Sequence, residues 1–201
     1  SPAWFDTRTD LLFLEMKKRI NDEYVYHLTG LSPQSKYSFY KLLWHKKYEP
    51  EVFQSVCFWT SMSGYLLDAL CGVLSFDYSL ASRTMFFDQI NRQWSLELLD
   101  IIGVPSSTMS TLTPSGIVLG TIRKAIARET GLPETLQVVT GGHDHLCAAV
   151  AVGVFQQGRV LISTGTTENL TMALDSIPQL ELSHLKRSFS WGHHVIPDKY
   201  Y

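Results

Sequence analysis

The sequence predicts an α/β protein, and three observations carry the prediction. Up to about residue 72, apolar residues recur mostly at helical spacing. Near the C-terminus, "RVLIS" and "ENLTMAL" read as two strands joined across "TGTT". Between them, "QVVTGG" reads as a short buried strand that runs directly into "HLCAAVAVG", a helical stretch of small residues.

The elements follow in order. In "TDLLFLEMKKRINDEYVYHLTG", Leu11, Leu14, Met16, Ile20, Tyr24 and Leu28 predict a helix with a break near Asn21, and Gly30 stands where a C-cap glycine belongs. "SFYKLLWHKKYEPEVFQSVCFW" continues in helical style, with Pro50 at a new helix start. The most apolar window, residues 53 to 74, contains Gln54, several Ser, Gly64 and Asp68. Those polar groups are costly in lipid, so the window predicts a buried helix and not a membrane span. A helix from Ser95, an N-cap residue, to Ile102 precedes Gly103 and Pro105. "TPSGIVLGTI" predicts a turn and short strand, and "IRKAIARETGLP" a helix stopped by Gly131. The helix after Asp144, from His145 to about Phe155, has Ala148, Ala149, Ala151 and Gly153, which predicts a partner packed close to its backbone. In the last hairpin Leu170, Met172 and Leu174 alternate with Thr171 and Ala173.

Composition narrows the function classes. A chain of 201 residues, 45% hydrophobic, can bury a sizeable core in one domain or two small ones. Seventeen basic residues against 19 acidic ones, with no long like-charge run, call for neither nucleic acid nor an anionic membrane. Cys57, Cys71 and Cys147 are widely spaced in apolar company, without a C-x-x-C pair, and fit a reduced, cytoplasmic setting. "SPAWFDTRTD" lacks the pattern of a signal peptide.

Two stretches carry chemistry. "STGTTE", residues 163 to 168, lines up small hydroxyl and glycine positions, which suits either a phosphate cradle or a polar hairpin loop. In "GGHDHLCAAVAVG", Asp144 stands where a strand hands over to a helix. One reading is an N-cap; the other is a carboxylate that accepts the proton of a substrate hydroxyl attacking a phosphoryl group, and both can hold together. A helix start favours the ionised carboxylate, and phosphoryl transfer depends more on aligning the nucleophile than on early proton removal. His143, His145, His193 and His194 raise the question of a metal, but no spacing among them matches a closed His/Cys site, and hydrogen bonding or packing explains them better.

An ordered series of motifs resembles the FGGY carbohydrate kinases across nearly the whole chain. It runs through "AWFDTRT", "YHLTGL", "KLLWHKK", "SGYLLDALCG", "DYSLASRTMFFD", "ELLDIIGVP", "PSGIVLG", "ETGLP", "VVTGGHDHLCAA" and "STGTTE". The resemblance implies an incomplete ribonuclease-H-like (actin-like ATPase) α/β fold with helical insertions. Residues 1 to 155 would form most of the first, sugar-binding domain without its opening strands, and 156 to 201 the beginning of the second, nucleotide-binding domain.

It also implies an ATP-dependent kinase acting on a hydroxyl of a small-molecule sugar, polyol or sugar acid, with Mg2+ bridging the phosphates. Asp144 matches the family's catalytic Asp, and His145 a residue that often contacts substrate. Gly165 and Thr166, with Thr164 and Thr167 beside them, match its phosphate loop, while Trp4 resembles the aromatic lining of the sugar pocket and Asn169 lies just past the loop. A homodimer is common in the family. "GGHDH" departs from the G-D-N and G-D-Q forms of its xylulose and glycerol kinases, which leaves the acceptor open. The family's opening D-x-G-T-type hairpin and its closing glycine-rich adenosine pocket have no counterpart here, so the chain reads as a central fragment that is inactive alone. Two other readings stand beside the kinase: a non-catalytic sugar-binding relative, and a metal-dependent hydrolase built on the His residues.

Overall fold

The computed structural model of the chain describes residues 2–165 and 168–201. In chain order its elements are α1 (Asp10–Met16), α2 (Asp22–Thr29), α3 (Ser38–Tyr48), α4 (Pro50–Ser55), α5 (Met62–Cys71), β1 (Ser75–Asp77), α6 (Tyr78–Ala81), β2 (Phe87–Asp88), β3 (Gln93–Trp94) and α7 (Leu96–Ile102). A 3-10 turn at Ser106–Thr108 leads to β4 (Thr111–Thr113), β5 (Val118–Thr121), α8 (Lys124–Thr130), β6 (Gln137–Val139), α9 (Asp144–Ala151), β7 (Val160–Thr164), β8 (Glu168–Met172) and α10 (Leu182–Lys186). The contacts divide them into two compact units. The first comprises Ser1–Phe58, Ala81–Met109 and Pro178–Gly192, and the second Trp59–Leu80, Ser110–Ile177 and His193–Tyr201.

The first unit is built by helix ends that sequence alone dictates. The Asn21 side chain accepts the N–H groups of Glu23 and Tyr24 at 2.9 and 3.1 Å, so α2 starts afresh at the expected break. Gly30 ends α2 in the left-handed region, φ 70°, and a Cβ there would lie 2.3 Å from the Trp191 carbonyl oxygen. Pro50 opens α4, while Ser95 caps α7 through the Leu98 N–H and Gly103 closes it. Val25, Phe39, Phe87, Leu98, Leu99 and Ile102 are fully or almost fully buried. Polar side chains share that interior, among them Gln89, whose amide donates to the Thr29 carbonyl at 2.9 Å and accepts from the Ser82 hydroxyl at 3.1 Å.

The second unit is assembled from two-stranded sheets. β1 pairs in parallel with β4, β5 antiparallel with β6, and β7 antiparallel with β8. α5 packs on β1, β5 and β6 over a core of Leu67, Ile122, Ala127 and Val138. α9 packs against β8.

Several expectations need correction. The window from 53 to 74 is not one buried helix: α5 starts only at Met62, and Phe58, Met62, Tyr65 and Leu66 are exposed. β6 buries Val138 alone, so it is a half-covered strand. α9 ends at Ala151, and only Leu146 and Ala149, one turn-spaced face, are buried, while Ala148 and Ala151 face outward. The hairpin forms as predicted but covers its other face. Thr171 and Ala173 are buried, whereas Leu170 and Met172 are 67% and 48% exposed. Cys57 and Cys147 are exposed and not enclosed by apolar neighbours.

Candidate active site

The stretch from β6 to α9 is held by a set of local and distant hydrogen bonds. The Thr140 hydroxyl accepts the Ile117 N–H at 2.8 Å and donates to the Pro114 carbonyl at 2.9 Å, tying the end of β6 to the turn before β5. Gly142 follows in a position with no room for a side chain: an added Cβ would lie 2.3 Å from Val195 Cγ1, 2.9 Å from Ser79 Oγ and 3.2 Å from Ser115 Oγ. The His143 N–H donates to Ser79 Oγ at 2.8 Å. His143, not Asp144, is the N-cap residue, with no capping bond from its side chain, and Asp144 is the first residue of α9. The N-cap reading of Asp144 is therefore displaced by one position.

Asp144 is held lightly and presented fully. Its carboxylate accepts the N–H of His145 at 2.9 Å and approaches His143 Nδ1 at 3.5 Å, and its side chain is 86% exposed. The His143 and His145 rings lie 5.5 Å apart at a 31° tilt. A carboxylate at the first turn of a helix, open to solvent and flanked by imidazoles, can accept a proton or orient a hydroxyl.

The remaining predicted residues divide between the units. Thr164 and Asn169 stand at the end of the β7–β8 hairpin, where Thr164 pairs with Glu168 and Ser163 with Asn169. The Thr171 hydroxyl donates to Asn169 Oδ1 at 3.3 Å. Gly165 forms the described part of the turn; Thr166 and Thr167 lie outside the described residues. Trp4 belongs to the first unit, is 59% exposed and meets Phe5 edge-on at 5.5 Å.

His193 and His194 do other work. His193 is buried with its ring 5.5 Å from Tyr78 and 5.2 Å from Tyr200. His194 accepts the Ile196 N–H on Nδ1 at 3.0 Å, and burial, with Lys199 nearby, keeps its affinity for a proton below the usual histidine range. Among the described residues no group of three or more His, Cys, Asp or Glu gathers to hold a metal ion. No described helix is long and apolar enough to cross a membrane.

Sequence reasoning passed over Asp77, Ser79 and Ser115, which lie beneath the Asp144 loop. Asp77 is buried at the end of β1, and its Oδ1 accepts the N–H of Ser79 at 3.0 Å, the N–H of Leu80 at 3.1 Å, the Ser79 hydroxyl, and the Ser115 hydroxyl at 3.3 Å. Burial pushes its carboxyl upward from the ordinary range, and these hydrogen bonds pull the other way. The available signal was local: an Asp followed two residues later by Ser, at a strand end before a helical turn, favours such a side-chain-to-backbone turn.

The profile of the FGGY family of carbohydrate kinases, N-terminal domain, matches residues 2–151. The xylulose kinase of Bacillus subtilis is 29% identical over 164 residues, covering 82% of this chain and 33% of the relative. The L-fuculokinase of Escherichia coli is 26% identical over 168 residues, covering 84% of this chain and 35% of the relative. The crystal structure of ligand-bound xylulose kinase from Lactobacillus acidophilus superposes with a TM-score of 0.87 at 22% identity, over 98% of this chain and 39% of that one, which shows the actin-like ATPase α/β fold. The chain thus spans about a third of the length of the curated relatives it matches. With the profile covering the greater part of its length, the chain belongs to the FGGY family of carbohydrate kinases.

Proposed function

We propose that the protein containing this chain is an ATP-dependent kinase that transfers the γ-phosphoryl group to a hydroxyl of a sugar, polyol or sugar acid. The single observation that carries the reading is the exposed Asp144 carboxylate at the start of α9, on a loop fixed from beneath, in a chain of this family. Asp144 accepts the acceptor's hydroxyl proton as the oxygen attacks, and its main contribution is alignment of that oxygen. His145, the next residue, donates a hydrogen bond to a neighbouring sugar hydroxyl. Trp4 offers an exposed aromatic face to a sugar, and Asn169 a further polar contact. The stretch "TGTT", residues 164 to 167, supplies small residues against which phosphate oxygens can approach closely.

In this reading residues 1–155 belong to a sugar-binding domain and 156–201 open a nucleotide-binding one. Mg2+ accompanies ATP in such chemistry, but the described residues gather no set of donors for it, and no step here runs through the ion. A cytoplasmic setting and a homodimer of the complete protein complete the proposal.

The test is ADP release by the complete protein, with Mg2+ and ATP, against a panel of ketoses, polyols and sugar acids. Turnover dependent on one class of acceptor is expected. Acceptor binding without turnover across the panel would favour a non-catalytic sugar-binding protein instead.

A further inference from the structure

A chain of hydrogen bonds runs from a buried carboxylate to the backbone that carries Asp144. Asp77 Oδ1 accepts a hydrogen bond from the Ser79 hydroxyl while also accepting the N–H groups of Ser79 and Leu80. A hydroxyl has one proton, so committing it to Asp77 leaves the oxygen's lone pairs for another donor. That donor is the His143 N–H at 2.8 Å, 64 residues away in sequence. Ser115 adds a second hydroxyl to Asp77 from the turn that Thr140 holds in place. Asp77, Ser79 and Ser115 do not reach the exposed Asp144 carboxylate by any hydrogen bond, so their influence on it passes through the backbone.

We propose that Asp77 and Ser79 are positioning residues for Asp144: Asp77 fixes the Ser79 hydroxyl, the hydroxyl fixes the His143 amide, and the amide sets where α9 begins and where its first carboxylate points. The inference rests on the catalytic reading of Asp144. Two details favour a positioning role over simple burial of polar groups. The Gly142 backbone is pressed against Ser79 Oγ so closely that a Cβ would sit 2.9 Å away, which leaves the loop little freedom to move toward that contact. Both Asp77 and Ser79 are themselves buried, at 4% and 0% exposure, so the hydrogen bonds are shielded from water.

The experiment is a double-mutant cycle in the complete protein with the best acceptor of the panel. Ser79→Ala is expected to lower kcat by about 10- to 100-fold, with KM for nucleotide and acceptor within about twofold, since a small misplacement of the reacting groups costs rate and not ground-state binding. In an Asp144→Asn background the same change is expected to cost less than about twofold, because it acts only through Asp144. Amide hydrogen exchange at His143 should accelerate in Ser79→Ala. If Ser79→Ala does not fold, Ser79→Cys, which keeps a side chain in place but accepts the His143 N–H only weakly, serves in its place with the same sign. An unchanged kcat, or an equal loss in both backgrounds, overturns the proposal while leaving the role of Asp144 intact. Full activity in Asp144→Asn overturns the catalytic reading itself, and this inference with it.

Discussion

The two units of the chain are held together by different means. In the first, helices start and stop at residues whose side chains satisfy the ends locally, Asn21 and Ser95 as caps, Gly30 and Gly103 as left-handed terminators, over an aromatic and aliphatic interior. The second has short paired strands, a small core, and a hairpin whose Leu170 and Met172 remain exposed. Its most specific ordering lies in the polar network that joins β1 to the start of α9. The first unit therefore spends its buried surface on stability, the second its buried polar groups on geometry. Substitutions should separate stability from activity along that line.

The largest effect on stability belongs to the first unit. Leu98 is fully buried, and Leu98→Ala should lower unfolding free energy by about 3 kcal/mol, read by denaturant titration, through lost transfer energy and the cavity left behind. A cost below about 1 kcal/mol would show that this interior is loosely packed and remove the contrast.

The counterpart in the second unit is Gly142→Ala. The new methyl would meet Val195 Cγ1 and the Ser79 hydroxyl, so the Asp144 loop must shift. Turnover of the complete protein should fall by about 100-fold, and the unfolding midpoint much less than in Leu98→Ala. A variant that keeps its turnover would show that the loop tolerates displacement.

The smallest expected effect is a pH dependence in the first unit. The Tyr24 hydroxyl donates to Glu97, and that bond pushes the phenol up to about 12 from 10.0. A group whose folded value is raised contributes stability that is complete below the unfolded value and lost as pH rises through the folded one. Stability from this contact should thus be intact at neutral pH and decline between about 10 and about 12. Tyr24→Phe should abolish that part of the alkaline loss, as followed by denaturant titration across the same range. An identical alkaline profile in the variant would remove the contact from the account.

What was legible in the sequence follows the same division. Helix ends depend on a few neighbouring residues, so the break at Asn21, the restart at Pro50, the cap at Ser95 and the stop at Gly103 could be read directly. Burial depends on which surface arrives from elsewhere in the chain. That is why the apolar window from 53 to 74 reads as one buried helix although α5 starts only at Met62, and why Ala148 and Ala151 are exposed although their size predicts close packing. The hairpin from 160 to 172 is predictable from its alternation, but not the choice of covered face, because either face of a strand can be buried and here it is the one carrying Thr171. The candidate site shows the same limit. Asp144 announced itself by its place between a strand and a helix, whereas the contact from Ser79 to His143 spans 64 residues and has no local pattern.

The most direct test of the central claim is Asp144→Asn in the complete protein, with phosphorylation of the acceptor and binding of the acceptor measured on the same preparation. The side chain is exposed, so the variant should fold and bind normally. A proton acceptor and aligning group at the reacting hydroxyl predicts a loss of kcat of about 100-fold or more with acceptor affinity little changed. A variant that phosphorylates within a few-fold of the native rate would contradict the claim, and would place the chemistry on residues other than this carboxylate.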